Sequence, residues 1–178
     1  MNTTLLYVSH ICREAVAFVF VLSVLGKIRS RAAFARFRRA ARLLSGLPEK
    51  WSDVVAWLVV VAEMAVVAGS VTASTAAWAF AGAMALLCAF TWGLSRSPAS
   101  AMASGCGCFG PVASTRRTAI MRNVVLLVVA VAGIGSTAAV RFEAANWAAV
   151  LVCTVAAAAL AAFLVRLEDF VSLFTTPL

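Results

Sequence analysis

Two cysteines separated by one glycine, Cys106 and Cys108 around Gly107, are the residues of this sequence best suited to chemistry. A disulfide between them would close a small ring that departs from relaxed geometry, and strained, accessible disulfides are the reactive kind. Glycine leaves the ring uncrowded, and nearby Arg116 and Arg117 could favour the thiolate, which is the nucleophilic form. The pattern predicts thiol–disulfide exchange with Cys106 and Cys108 as the catalytic residues.

Two other interpretations of this pair remain open. Thiolates also bind soft metals such as Cu(I) or zinc, but a closed zinc site needs about four ligands, and the one histidine, His10, is far away in the sequence. Our prediction therefore assigns no metal to the pair. Alternatively, the segment is a tight turn with inert thiols. The remaining cysteines, Cys12, Cys88 and Cys153, lie in or beside apolar runs, where cysteine behaves as a small hydrophobic residue.

The composition is that of an integral membrane protein. Of 178 residues, 63% are hydrophobic and 12% are charged, with a mean hydropathy of +0.99, whereas a soluble domain has about 25% charged residues. Apolar runs of about 20 residues predict transmembrane helices. We predict an all-α integral membrane fold, one membrane domain over residues 1–178: a small bundle of four to five antiparallel transmembrane helices. The predicted spans are about 5–28, 51–71, 75–94, 118–137 and 146–165, with the cysteine motif in a loop over 95–117.

A different kind of helix is predicted between the first two spans, at about residues 31–44. Phe34, Phe37, Ala41 and Leu44 recur at helical spacing, and arginines occupy much of the rest. This is the pattern of an amphipathic helix in the headgroup region. Gly46 and Pro48 are expected to end it. We expect the next span to begin with Ser52 or Asp53 as its N-cap.

Glu63 is the one residue that interrupts the apolar run of the second span. An ionisable side chain there costs on the order of 2.5–3.5 kcal/mol on insertion scales, so it is usually paired and functional. We predict that Glu63 faces the bundle interior, either protonated or paired with Lys27 or Arg122. Its role is either structural or connected with proton or quinone chemistry, and a quinone is therefore a candidate cofactor.

The two candidate cations have a simpler alternative. Lys27 closes the first span and is placed to snorkel to the interface. Arg122, followed by Asn123 at the start of the fourth span, either snorkels in the same way or points inward toward the thiolate or Glu63.

The net charge of +8 indicates lipid and membrane orientation, and we predict no nucleic-acid partner, because the basic residues flank apolar runs. With five spans, the basic segment 29–50 and the cysteine loop lie on one face, while the opposite loops hold little besides Arg141. The positive-inside rule therefore places the cysteine motif in the cytoplasm and the N-terminus outside, in a multi-pass protein of the cell inner (cytoplasmic) membrane.

Five short motifs follow one another along the chain: Gly26-Lys27, Leu47-Pro48, Glu63, Cys106-Gly107-Cys108-Phe109-Gly110 and Arg122-Asn123. In this order they resemble the MauE family of membrane proteins, which is associated with methylamine utilisation and related to the DoxX group. The resemblance covers most of residues 15–135, and its most specific part is the cysteine string.

The resemblance implies a redox-associated membrane partner for a thioredoxin-like protein, supporting disulfide formation or maturation of a client such as the small subunit of methylamine dehydrogenase. Gly107, Lys27, Glu63, Arg122 and Asn123 would then support the two cysteines. Such a role suggests the extracytoplasmic side, where disulfides persist, whereas the charges indicate the cytoplasmic side. The alternative function is a non-catalytic integral membrane subunit or scaffold of a larger membrane complex.

Overall fold

The computed structural model describes residues 3–46, 48–96, 116–139 and 146–166, and all regular secondary structure within these ranges is α-helical. Cys106, Gly107 and Cys108 lie outside the described residues, as does Arg141. The helices in the described ranges are α1 (Thr3–Ile28), α2 (Arg31–Ser45), α3 (Glu49–Gly69), α4 (Ala73–Arg96), α5 (Arg116–Ala139) and α6 (Trp147–Val165).

Five of these helices are long and apolar enough to cross a membrane, which confirms the predicted all-α membrane bundle. Exposed tryptophans mark its two ends, as expected for aromatic belts at the two interfaces. Trp51, Trp57 and Trp92 lie toward the end that carries α2, and Trp78 and Trp147 lie toward the other end. The candidate spans are Thr4–Ile28, Lys50–Gly69, Ala73–Arg96, Arg116–Thr137 and Trp147–Val165.

Helix α1 is the centre of the bundle and contacts each of the other five helices of the described chain. Its Val16 and Phe20 lie in a buried cluster with Phe80 of α4 and Leu126 of α5. Lipid tails are as apolar as these side chains, so close packing holds membrane helices together. Small residues permit that packing. The fully buried alanines are Ala15, Ala56, Ala76, Ala83, Ala130, Ala157 and Ala161.

Helix α2 begins and ends at clear capping residues. The Ser30 side chain accepts a hydrogen bond from the Ala33 amide, which satisfies one of the free donors of the first turn. Gly46 takes a left-handed conformation with φ 66°, and its amide donates to the Arg42 carbonyl. Glycine adopts this conformation without the steric cost of a Cβ, so the predicted end of the amphipathic helix is confirmed.

The apolar face of α2 is covered by protein. Phe37 and Ala41 are buried in a cluster with Val24 of α1 and with Ala56 and Val60 of α3. The predicted amphipathic helix therefore packs on the bundle through its apolar face.

Helix α2 also runs back along the first half of α3. The Phe34 and Trp57 rings lie with centroids 4.9 Å apart, and Arg38 Nη1 lies 2.7 Å from Asp53 Oδ1. The predicted N-cap of α3 was wrong: α3 begins at Glu49 after Pro48. Proline suits a helix start, because it has no amide hydrogen to satisfy and its φ is already fixed. Ser52 is buried inside the helix, and Asp53 pairs with Arg38.

Close contact between α4 and α5 depends on Gly133. A Cβ built on Gly133 would lie 2.3 Å from Cζ of Phe80, whose side chain is 1% exposed. The ring is packed into the core and cannot move aside without disturbing its neighbours. Two residues later, Gly135 has nothing within 4 Å of such a Cβ.

We expect Gly133→Ala to lower the free energy of unfolding by about 1–3 kcal/mol, the usual cost of overpacking a core. Gly135→Ala is the matched control, and we expect no loss and a gain of up to about 1 kcal/mol from helix propensity. Unfolding of both variants in mixed micelles measures the difference. Equal stabilities for the two variants would contradict the packing of Phe80 against Gly133.

Candidate functional site

A buried ion pair joins the end of α1 to the middle of α3. Lys27 Nζ lies 2.5 Å from Glu63 Oε1 and 2.6 Å from Glu63 Oε2. The two side chains are 0% and 1% exposed. Glu63 thus faces the bundle interior, and Lys27 is its basic partner. The alternative in which Lys27 snorkels to the interface is wrong, because its side chain is turned inward and fully covered.

Ser23 completes the hydrogen bonding of this pair. It lies one turn before Lys27 on the same face of α1, where it accepts from Lys27 Nζ at 2.6 Å and donates to Glu63 Oε1 at 3.0 Å. An ammonium group has three donors, and here they meet two carboxylate oxygens and one hydroxyl. A buried pair is tolerated when its remaining donors and acceptors are satisfied in this way.

Two aromatic rings cover the lysine. Lys27 Nζ lies 4.9 Å from the centroid of the Phe37 ring on α2 and 5.7 Å from that of the Phe90 ring on α4. Both distances allow a favourable interaction between the cation and the ring face. The rings help to cover the Lys27 ammonium, which is fully buried, so α2 contributes directly to this site.

A small cavity adjoins the ion pair on the side of α5. Its volume is about 50 Å³, and its polar wall consists of Ser23, Glu63, Arg122 and Asn123. Arg122 is 7% exposed and Asn123 is 4% exposed, so both side chains point inward, which was one of the two alternatives for Arg122. A space of this size holds a water molecule or two. It is far below the roughly 300 Å³ from which small-molecule sites begin, so it does not fit a quinone ring.

Asn123 also ties α5 to α4. Its Nδ2 donates to Thr91 Oγ1 at 3.1 Å, and that hydroxyl donates to the Leu87 carbonyl at 2.7 Å. The amide is thereby held at the cavity wall by a partner on a neighbouring helix. Lys27, Glu63, Arg122 and Asn123 are thus gathered at one place, although they come from three helices.

The sequence did not identify Ser23, Thr91, Phe37 or Phe90 as part of this site. Ser23 could have been found, because a serine four residues before Lys27 shares its helix face. The sequence indicates Phe37 only as one residue of the apolar face of α2. Thr91 and Phe90 carry no local signal, since their part depends on how α4 packs against α1 and α5.

The cysteine segment joins the bundle at a defined place. Helix α4 ends at Arg96 and α5 begins at Arg116, and the Arg116 guanidinium donates to the Ser95 carbonyl. The two helix ends on either side of residues 97–115 are therefore adjacent, at the same end of the bundle as α2. Asn123 lies two turns further along α5, roughly 10 Å from Arg116 at 1.5 Å per residue.

The three other cysteines lie on membrane-spanning helices. All three are free thiols; Cys12 and Cys153 are buried, and Cys88 is exposed on the outside of α4. None of them lines the cavity beside the ion pair.

Comparison with known proteins identifies one family. The family model described as methylamine utilisation protein MauE matches residues 5–136. This range includes nearly all of α1, the whole of α2 to α4, most of α5, the ion pair and the cysteine motif. Neither the curated proteins nor the solved structures include a significant match to this chain. Since the matched range covers well over half of the sequence, this multi-pass membrane protein belongs to the MauE family.

Proposed function

We propose that this protein is a membrane thiol–disulfide redox protein that acts through Cys106 and Cys108, with a thioredoxin-like partner, in disulfide formation or maturation of a client protein. Family membership and the Cys-Gly-Cys string support the proposal. The observation that carries it is the contact between Arg116 and Ser95. This contact brings the two helix ends that flank the cysteine segment side by side. They lie at the end of the bundle above the buried polar residues Lys27, Glu63, Arg122 and Asn123.

The proposed reaction is an exchange of one disulfide for another. One thiolate of the pair attacks a sulfur of the partner's disulfide, forming a mixed disulfide and releasing the partner's other sulfur as a thiolate. The second cysteine of the pair then attacks the mixed disulfide and releases the partner's remaining thiol. Cys106 and Cys108 end as a disulfide and the partner as a dithiol, so two electrons and two protons have passed to the partner. The reverse sequence oxidises the partner.

The described residues have supporting roles in this proposal. Arg116, and Arg122 beneath it, add positive charge near the place where the cysteine segment joins the bundle, and positive charge stabilises a thiolate. Buried polar side chains lie beneath that place and are held by hydrogen bonds: Asn123, Lys27 and Glu63. Gly107 leaves the ring between the two cysteines uncrowded. No step passes through a quinone, because the cavity beside Glu63 does not fit one.

The alternative function is a non-catalytic membrane subunit or scaffold of a larger complex. The observation that favours it is the completeness of the ion pair, whose ammonium donors all have acceptors. A fully satisfied pair serves as well to join helices as to support chemistry. The two functions differ in whether the cysteines are needed.

Either single Cys→Ser change, at Cys106 or Cys108, is expected to abolish redox turnover of the partner while the bundle still inserts. The reason is that attack and resolution need one thiol each. Gly107→Val should weaken turnover, because a branched side chain crowds the ring. The measurement is the disulfide state of the client in cells that carry each variant.

The control for this experiment is Cys153→Ser, which removes a buried thiol from α6 and should leave the client's disulfide state nearly unchanged. Trapping a mixed disulfide with Cys108→Ala would identify the partner. Normal client oxidation with both Cys106 and Cys108 replaced by serine would exclude the redox function and leave the scaffold function.

The orientation proposed for the protein is N-terminus outside, in the inner membrane, with the α2 end and the cysteine segment in the cytoplasm. Helix α2 carries five arginines and no acidic residue, and such segments stay on the cytoplasmic side. We therefore expect a membrane-impermeant maleimide to label Cys106 and Cys108 only after intact, reduced cells are permeabilised. Ready labelling before permeabilisation would place the cysteines on the outer side.

A further inference from the structure

We infer that a groove between α2, α3 and α4 binds an anionic phospholipid, with an acyl chain in the groove and the phosphate at Arg96. The groove has a volume of about 360 Å³, within the usual range for a ligand site. It lies at the α2 end of the bundle, next to the cavity beside the ion pair, and the two spaces share Leu44 and Phe90 in their walls. Its apolar wall includes Phe37, Ala41, Val55, Val59, Ala89 and Phe90.

The groove is open to the outside of the bundle, where the bilayer lies. Ala89 and Trp92 both line it, and both are exposed, Trp92 to 61%. If the groove were empty, the side chains that line it would lose dispersion contacts on that side. Lipid acyl chains surround the lipid-facing side of a membrane helix, so an acyl chain is the occupant that this apolar wall fits.

Polar groups of the groove are confined to its outer end. Ser45 and Arg96 lie there, whereas Phe90 lies at the inner end, roughly 9 Å from Arg96 along α4. Exposed Trp92, one turn before Arg96, marks the level of the interface. An apolar channel that ends in polar groups at the interface matches an amphiphile with one polar head.

The charge at this end favours an anionic head. Among the residues that the structure describes, Arg96 is the one charged side chain that lines the groove, and none of them places a carboxylate there. Its guanidinium lies over the Trp92 ring, with Cζ 4.1 Å from the centroid, which positions it for a phosphate. Arginine and phosphate form paired, charge-assisted hydrogen bonds. Helix α2 adds further positive charge, with arginines and no acid among its residues, as in basic lipid-binding pockets between helices.

The test compares two lipids with identical acyl chains, phosphatidylglycerol and phosphatidylcholine, titrated into the purified full-length protein in detergent. Native mass spectrometry gives the bound fraction, and the thermal midpoint gives an independent readout. We expect tighter binding of phosphatidylglycerol. Arg96→Gln should lower affinity for that lipid about fivefold and lower affinity for phosphatidylcholine less, because the choline cation already neutralises the phosphate of that lipid. Arg39→Gln, which makes the same change in net charge on an exposed residue that does not line the groove, should keep the wild-type preference.

A second pair of variants tests the groove itself. Ala89→Phe fills it and should weaken binding of both lipids. Ala85→Phe, one turn earlier on α4, exposed and outside the groove, should not. Helical content and elution volume establish that each variant is folded. Equal wild-type binding of the two lipids, equal effects of Arg96→Gln and Arg39→Gln, or equal effects of the two phenylalanine variants would overturn the proposal. None of these results bears on the cysteines.

Discussion

The contact between Lys27 and Glu63 is the constraint on which the rest of this bundle depends. Two charges inside a membrane protein are tolerated only when each finds a partner. Lys27 lies one residue before the end of α1, whereas α3 continues from Glu63 back to Glu49, roughly 20 Å at 1.5 Å per residue. The ion pair therefore holds the end of α1 well inside the bundle, at a depth from which α3 still continues toward the α2 end.

Because α1 ends inside the bundle, its last turn needs a cover, and helix α2 provides it. This helix runs back along α3 and covers Lys27 with the Phe37 ring. Phe37 and Ala41 also pack in the buried apolar cluster between α1, α2 and α3. Four of the five arginines of α2 are exposed on the outside of the bundle, namely Arg31, Arg38, Arg39 and Arg42. The same arrangement creates the two spaces at this end of the bundle. One is the small cavity beside Glu63, which has both polar and apolar groups in its wall and lies beneath the helix ends that lead to the cysteine segment. The other is the apolar groove that ends at Arg96.

Much of this architecture could be predicted from the sequence, because a membrane imposes strong patterns. Long apolar runs identify the spanning helices, and Gly46 marks where α2 ends. Glu63 could be assigned to the interior because its charge is too costly in lipid. The partner could not be chosen, since snorkelling and pairing are equally compatible with Lys27 at a helix end. That choice depends on how deeply α1 sits against α3. The places of Phe90 and Thr91 depend on the packing of α4, which leaves no trace in local spacing.

A double-mutant cycle on the ion pair tests this account most directly. We predict that Lys27→Met and Glu63→Gln each lower the free energy of unfolding by about 3–5 kcal/mol, because each leaves a buried group without its partner. The double variant should lose far less than the sum. The exposed pair Arg38 and Asp53 is the internal control, and its cycle should give a coupling below about 1 kcal/mol. A coupling at Lys27 and Glu63 no larger than at the exposed pair would contradict the claim that this contact holds α1 in place.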